Sequence, residues 1–479
     1  MPGNGGQLHV RPGEADAGPG RVRPDDVEAG RALRELVPRS AHAELPADPA
    51  GRDPLALTEH QNRSRLPELV ALRTARMAES PLAYLRGTAA VMAQDLRSTP
   101  LVGVTVQLCG DAHVANFGLY ASPERALLFD VDDFDETAPG PWEWDLKRLA
   151  TSAVLAARQM GASGAERAAA CAAAQSYRLH IARYGAAGAL SVWYDKVDAD
   201  AAVRTVGGRV RADVLAARRH TAQAALPRLT ELAPNGARRI ADHPPVVSHD
   251  LVDAHRDLLT GLVEGYVESL DPAARVLVER FTVSDFALKA VGVGSVGTRC
   301  FVALLVGDDA EPLLLQVKEA GASAVGAVAP VGPVRADAGG VSTSPWDVEP
   351  PRAGPDEGGR VVEGQHLMQA ATDLFLGSTA AGGTSYYVRQ LRDMKGSIDW
   401  AELRPQALLE YTGLCGWALA RAHARSAGPA TAARIAGYLG RGTVFDDSVA
   451  RFAIAYADRT EADHRALVAA IGAGRFAVT

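Results

Sequence analysis

The sequence predicts an α+β chain of two lobes, with a helical lobe split around a β-rich one. Three observations predict it. Apolar residues recur at helical spacing from about 55 to 97 and again, Ala-rich, through much of 143–275. Residues 281–291, 298–306 and 312–317 are compact apolar runs separated by Gly- and Asp-bearing turns, the pattern of adjoining strands. Helical spacing then returns at 403–426 and 445–475.

Taken in order, residues 1–30 are Gly-, Pro- and Asp-rich without periodicity and are expected to be a disordered arm. Residues 31–278 form the first helical lobe. Within it, 101–109 is a buried-strand candidate, and Gly118–Tyr120 and Ala126–Val131 are two short strands joined by a Ser-Pro-Glu-Arg turn. Helices are expected at 144–184, 209–225 and 249–269. Residues 279–400 form the β-rich lobe, with a helix at 361–376 and a strand at 385–391. Inside it, 320–358 is Ala/Gly/Pro/Val-rich with no period, which reads as a flexible insertion. Residues 401–479 complete the helical lobe.

Composition narrows the function classes. At 479 residues and 47% hydrophobic, the chain can bury a sizeable core. A net charge of −7 argues against a general nucleic-acid binder. No apolar run approaches the roughly 18–20 residues of a membrane span. No charged-then-apolar leader opens the chain, so a cytoplasmic location is expected. Cys109, Cys171, Cys300 and Cys415 are scattered and fit reduced thiols. Only 5 of the 50 basic residues are Lys, which draws attention to each one, Lys318 above all.

Two constellations carry chemistry. The first is Gly110-Asp111-Ala112-His113-Val114-Ala115-Asn116-Phe117-Gly118, followed by Phe129-Asp130-Val131-Asp132-Asp133-Phe134-Asp135-Glu136. Phosphoryl transfer needs a carboxylate to receive a hydroxyl proton and oxygen ligands for Mg²⁺. Asp111 suits the first task, and Asn116 with Asp130 the second. Asp132 shares the Asp130 face and could join or replace it, whereas Asp133 and Asp135 would point away if the strand persists. The second constellation is Gly292-Val293-Gly294-Ser295-Val296-Gly297, set between two strands as in the phosphate-covering loop of kinases. The next strand ends in Lys318, and Glu363 on the following helix is the best candidate to hold it. Glu319 would face the other way.

Plainer readings exist for each. Asp111 and Asn116 are also common turn residues, His113 could brace its loop, and His423 could be packing. Trp142 and Trp144 read as core anchors. Arg389, Arg392 and Lys395 read as a solvated strand end that could also meet a phosphate.

The strings GDAHVANFG, FDVDDFDE, GPWEWDLKRLA, GVGSVGTRC, LQVKEA, YYVRQLRDMKGS and LARAHARS together resemble an uncharacterised bacterial family, domain of unknown function 2252, from about 55 to 475. More remotely, the motifs resemble the aminoglycoside/choline kinase branch of the protein-kinase-like fold. Their order differs, because here the catalytic-loop candidate precedes the glycine loop. Circular permutation of a kinase, cut just before its catalytic loop, gives the order seen. The resemblance implies ATP and Mg²⁺ as cofactors and a small-molecule or protein acceptor. It implies Asp111 as base and His113 orienting its loop, Asn116 and Asp130 on Mg²⁺, and Asp145 bracing the loop. Gly292, Gly294, Ser295 and Gly297 would admit the phosphates, with Lys318 on them and Glu363 on Lys318. The alternatives are a metal-dependent phosphohydrolase, a nucleotidyltransferase, a nucleotide-binding pseudokinase or a non-catalytic binder. Gly-Asp-x-His followed by Asn is similar to the metallophosphoesterases, yet the remaining His residues lack that family's metal-binding contexts.

Overall fold

Helices come first among the described residues because prolines and caps start them. In the computed structural model, α1 (Pro24–Leu36), α2 (Pro54–Asn62), α3 (Pro67–Ala78) and α4 (Pro81–Gly87) each begin with Pro, whose fixed φ suits a first helical turn. Asp53 and Ser80 side chains accept the Ala56 and Ala83 amides at 2.9 and 3.1 Å, capping α2 and α4. α5 (Ala89–Leu96) follows. The structure describes residues 23–48, 51–162, 164–220, 222–232, 238–244, 246–249, 252, 256–290, 292–330, 356–391 and 394–478.

Next come strands β1 (Thr105–Leu108), β2 (Phe117–Ala121), β3 (Leu127–Val131) and β4 (Ala138–Pro141). The helices α6 (Trp142–Gln159), α7 (Glu166–Ala186), α8 (Ala189–Tyr194), α9 (Ala199–Val206), α10 (Gly208–Arg219) and α11 (Ala222–Leu229) succeed them. Short strands β5 (Thr230–Leu232), β6 (Arg238–Ile240) and β7 (Val247–Ser248) lead to α12 (Arg256–Ser269) and α13 (Pro272–Val278). Then come β8 (Phe281–Lys289), β9 (Cys300–Gly307), β10 (Pro312–Ala320), α14 (Glu357–Met368), β11 (Gly377–Ala381), β12 (Thr384–Gln390) and β13 (Gly396–Ser397). The chain closes with α15 (Pro405–Leu439), bent at Gly428 where φ is 81°, and α16 (Val444–Gly472).

The architecture is mixed α+β, as expected. One core is helical: α6, α7, α15 and α16 close around Trp142, which stacks on Tyr177 at 5.6 Å between centroids. Ala- and Gly-rich faces let α7 and α15 approach until a Cβ at Gly416 would collide with the Ala173 carbonyl. The other core belongs to a six-stranded antiparallel sheet ordered β11-β12-β10-β9-β8-β7. One sheet face packs on α12 and α13 through Phe301, Leu305, Leu315 and Val317. The other carries Ala287, Val302, Leu304 and Leu314 against Ile240 and Val247. Across the strands Lys318 pairs with Cys300 and Tyr387, so their side chains share this second face.

Several expectations change. Residues 24–30 are not part of an arm; they form the start of α1, where Pro24-Asp25-Asp26 supplies helix-start chemistry, and Gly30 packs on the Arg434 backbone. Residues 1–22 lie outside the described residues. So do 331–355 of the insertion, whereas its first part is packed: Ser323 Oγ donates to the Glu136 carbonyl at 2.8 Å. The helix expected at 361–376 runs from Glu357 to Met368, and 377–381 is a strand of small residues.

Candidate active site

A single face of α6 holds the 109–114 loop. Asp145 accepts the Cys109 and Gly110 amides at 2.8 and 3.1 Å. Arg148, one turn on, donates to Asp111 Oδ1 at 2.5 Å, and Ser152 accepts the Val114 amide at 2.9 Å. Positions 145, 148 and 152 lie on one helical stripe, so the helix acts as a template for the loop. Behind it, His423 Nε2 lies 3.3 Å from Asp145, and the Tyr177 hydroxyl lies 2.9 Å from His423 Nδ1. His423 therefore does more than pack.

The loop itself is wound tightly. The Asp111 carbonyl accepts the His113 amide at 2.8 Å and Asn116 Nδ2 at 2.9 Å. That ties Asn116 to the loop by its amide nitrogen and leaves its Oδ1 as the ligand-type oxygen. His113 is buried with Nε2 3.7 Å from Asp111, and burial pushes its imidazole down to about 4, so it is neutral near pH 7. Gly110 adopts φ 83°, and a Cβ there would strike the Glu136 carbonyl. Only glycine lets the loop approach the acidic turn so closely.

The acidic turn at 132–137 is where the two constellations meet. Lys318 Nζ donates to both Asp135 oxygens at 2.8 and 3.0 Å and lies 3.6 Å from Asp133. Asp135 also accepts Ser295 Oγ at 2.8 Å and the Tyr387 hydroxyl at 2.6 Å. Burial alone would raise the Asp135 carboxyl, but Lys318 and the Tyr387 and Ser295 hydroxyls hold it well below the usual carboxylate range. Asp133 goes the other way, raised by burial and by Asp135, and its buried Oδ1 has no hydrogen-bond partner. The glycine loop joins β8 to β9 as a hairpin, with Gly292 at φ 64° and Gly297 at φ 91°. Its close contacts run to the N-terminal helices. Gly297 O accepts the Leu66 amide at 2.7 Å, and a Cβ at Gly297 would sit 3.0 Å from the Arg65 side chain.

Residues 65–470 match the model of a family described as "Uncharacterized protein conserved in bacteria (DUF2252)". The chain belongs to this family. No curated protein and no solved structure shows a detectable match. In this DUF2252 chain no described helix is long and apolar enough to cross a membrane.

Three expected roles do not fit the geometry. Asp130 is fully buried, bound by Arg421 Nη2 at 2.6 Å and by the Ala370 amide at 2.9 Å, so it belongs to the core and is not free for a metal. Asp132 is paired with Lys395 at 3.1 Å and borders a cleft of about 280 Å³ shared with Arg389, Gln365 and Phe375. Glu363 is exposed, because α14 meets the acidic turn through Arg360, which donates to the Thr137 and Asp135 carbonyls at 2.6 and 3.0 Å. Lys318 is held by Asp135 instead. Glu319 does face away, 3.2 Å from Arg299. Arg392 lies outside the described residues, and Arg389 donates to the Asp132 carbonyl at 2.9 Å.

Among the described residues no group of three or more His, Cys, Asp or Glu side chains is arranged to hold a metal ion. Mg²⁺ does not demand one, since it binds through one or two protein oxygens together with phosphates and water. Asp133, whose Oδ1 accepts no hydrogen bond, and Asn116 fit that donor set; Asp130 does not. Arg148, Tyr387 and Arg421 escaped the sequence reading. Arg148 had a usable signal, three residues after Asp145 on the same helix. The other two had none beyond lying in the family-specific strings.

Proposed function

We propose that the Asp111 loop, the acidic turn and the glycine loop form the active site of an ATP- and Mg²⁺-dependent phosphotransferase, a kinase-like chain in circularly permuted order. The reading rests chiefly on one observation. Ser295 of the glycine loop and Lys318, 160 and 183 residues from Asp135 in sequence, both bond its carboxylate beside the Asp111 loop. The strand–glycine loop–strand hairpin, a lysine on the third strand and a following helix support the same reading. Asp111 would receive the proton of the acceptor hydroxyl, and Arg148 keeps it oriented. Asn116 and Asp133 would hold Mg²⁺, which neutralises phosphate charge when bound. Lys318 would bind phosphate oxygens.

Isothermal titration with Mg²⁺ and ATP tests this directly. Binding is expected to require Lys318, and Asp111→Asn is expected to keep binding while abolishing ATP turnover. Absence of binding at millimolar ATP overturns the reading.

A further inference from the structure

Arg86 lies in the last turn of α4, which reaches both the Asp111 loop and the glycine loop. On one side, Leu85 O accepts Arg148 Nη2 at 2.8 Å, and Arg148 in turn holds Asp111. On the other, a Cβ built on Gly294 would sit 3.2 Å from the Arg86 carbonyl, so α4 touches the glycine loop. Gly87 O accepts Arg73 Nη2 at 2.7 Å. The backbone of 85–87 is thus fixed on both flanks, and Arg86 is held in place.

The Arg86 side chain is mostly buried, with Asp111 and Asp133 as its foremost electrostatic partners. Neither carboxylate closes on it: Asp111 pairs with Arg148, and Asp133 faces Lys318. The buried Arg86 Nε has no hydrogen-bond partner. A guanidinium offers five donors in a planar fork that matches phosphate oxygens. Holding one near a glycine loop and a base, with donor capacity unspent, suits an anion that arrives with the substrate.

We propose that Arg86 binds the terminal phosphate of the nucleotide and stabilises it during transfer. The inference rests on the phosphotransferase reading and extends it. The acceptor oxygen bonds to the terminal phosphorus, the bond from that phosphorus to the ADP oxygen breaks, and the hydroxyl proton passes to Asp111. Arg86 carries the charge on the moving group, while Lys318 holds the phosphates that stay with ADP. The helices at 54–96 are then part of the active site.

The test compares Mg²⁺·ADP with a Mg²⁺-bound non-hydrolysable imido analogue of ATP, by titration of the full chain. Wild type is expected to prefer the triphosphate. Arg86→Gln is expected to bind ADP as wild type does, to bind the triphosphate about tenfold more weakly, and to turn over ATP about a hundredfold or more slowly. Arg86→Lys, which keeps the charge but loses the fork, is expected to fall between them. A folded Arg86→Gln protein that retains the wild-type triphosphate preference overturns the inference and leaves the phosphotransferase reading standing. A wild type without that preference does the same. A wild type that binds no nucleotide overturns both. If Arg86→Gln fails to fold, Arg86→Lys decides, and unchanged turnover in it overturns the inference.

Discussion

Asp130 and Asp133 stand three residues apart and are bound to different fates. Asp130 is sealed in the core against Arg421, whereas the buried Oδ1 of Asp133 accepts no hydrogen bond and lies 3.6 Å from Lys318. Removing one partner of a buried pair leaves an uncompensated charge, so Asp130→Ala is expected to cost about 3–5 kcal/mol in urea denaturation. Asp133→Asn relieves a buried carboxylate that is repelled by Asp135 and whose Oδ1 accepts no hydrogen bond. It should keep or raise stability while removing the Mg²⁺ dependence of nucleotide binding, and a collapse of the fold in this variant would contradict that assignment. A second buried pair reports on pH. Glu143 accepts the Val102 amide at 2.6 Å with Lys147 one helical turn away, both fully buried. Burial pushes Glu143 up to about 7 and Lys147 down to about 8. A raised carboxyl favours the folded state at low pH, and that contribution is lost as pH climbs from about 4.5 through 7. A lowered lysine has the opposite slope, regaining stability between about 8 and 10.5. Against a Glu143→Gln, Lys147→Met double variant, wild type should lose stability as pH rises toward neutrality and recover it in the alkaline range. A pH-independent difference would sink this account.

At the scale of elements, α6 carries the heaviest functional duty, because one stripe of it holds both ends of the Asp111 loop. Asp145→Ala strips acceptors from two buried amides and from His423 at once. It should cost about 3 kcal/mol or more, and ATP turnover should fall further than the lost stability explains. Ser152→Ala, which frees a single amide, should cost about 1 kcal/mol, and a reversed ranking in denaturant melts would refute the template role. The sequence displayed this stripe, since Asp145 and Arg148 are spaced three apart in an evident helix. Strand alternation was a poorer guide to the acidic turn. β3 ends at Val131, and the turn that follows re-aims Asp135 onto Lys318, which no two-residue period foretells. Glu363 points away from Lys318 for a related reason. Which face of α14 meets the acidic turn depends on tertiary packing, and Arg360 and Gly364 occupy that face. Gly377–Ala381 was missed because Gly-Ser-Thr-Ala-Ala lacks the branched apolar pattern by which strands are read.

The whole molecule is organised around a closed contact between the six-stranded sheet and the acidic turn. Lys318, Tyr387 and Ser295 reach Asp135 from the sheet side, and Arg360 and Arg389 grip the backbone of the same turn. Lys318 has a side-chain exposure of only 3%, so a phosphate cannot reach it while Asp135 stays in place. In the proposed phosphotransferase the carboxylate occupies the position of an anionic ligand, and a bound nucleotide would have to draw it away. Asp135→Asn weakens that internal competitor. It should therefore bind Mg²⁺·ATP more tightly than wild type, while unfolding at lower denaturant near pH 7. The pH dependence follows from the lowered carboxyl: its contribution is present above the ordinary Asp value of 3.8 and is lost as pH falls through the folded value. The stability gap between wild type and Asp135→Asn should therefore narrow on acidification below about pH 4. Denaturant melts at pH 3 and pH 7, with ATP titrations at pH 7, check both halves. Weaker ATP binding by Asp135→Asn would mean that Asp135 serves the ligand and does not compete with it.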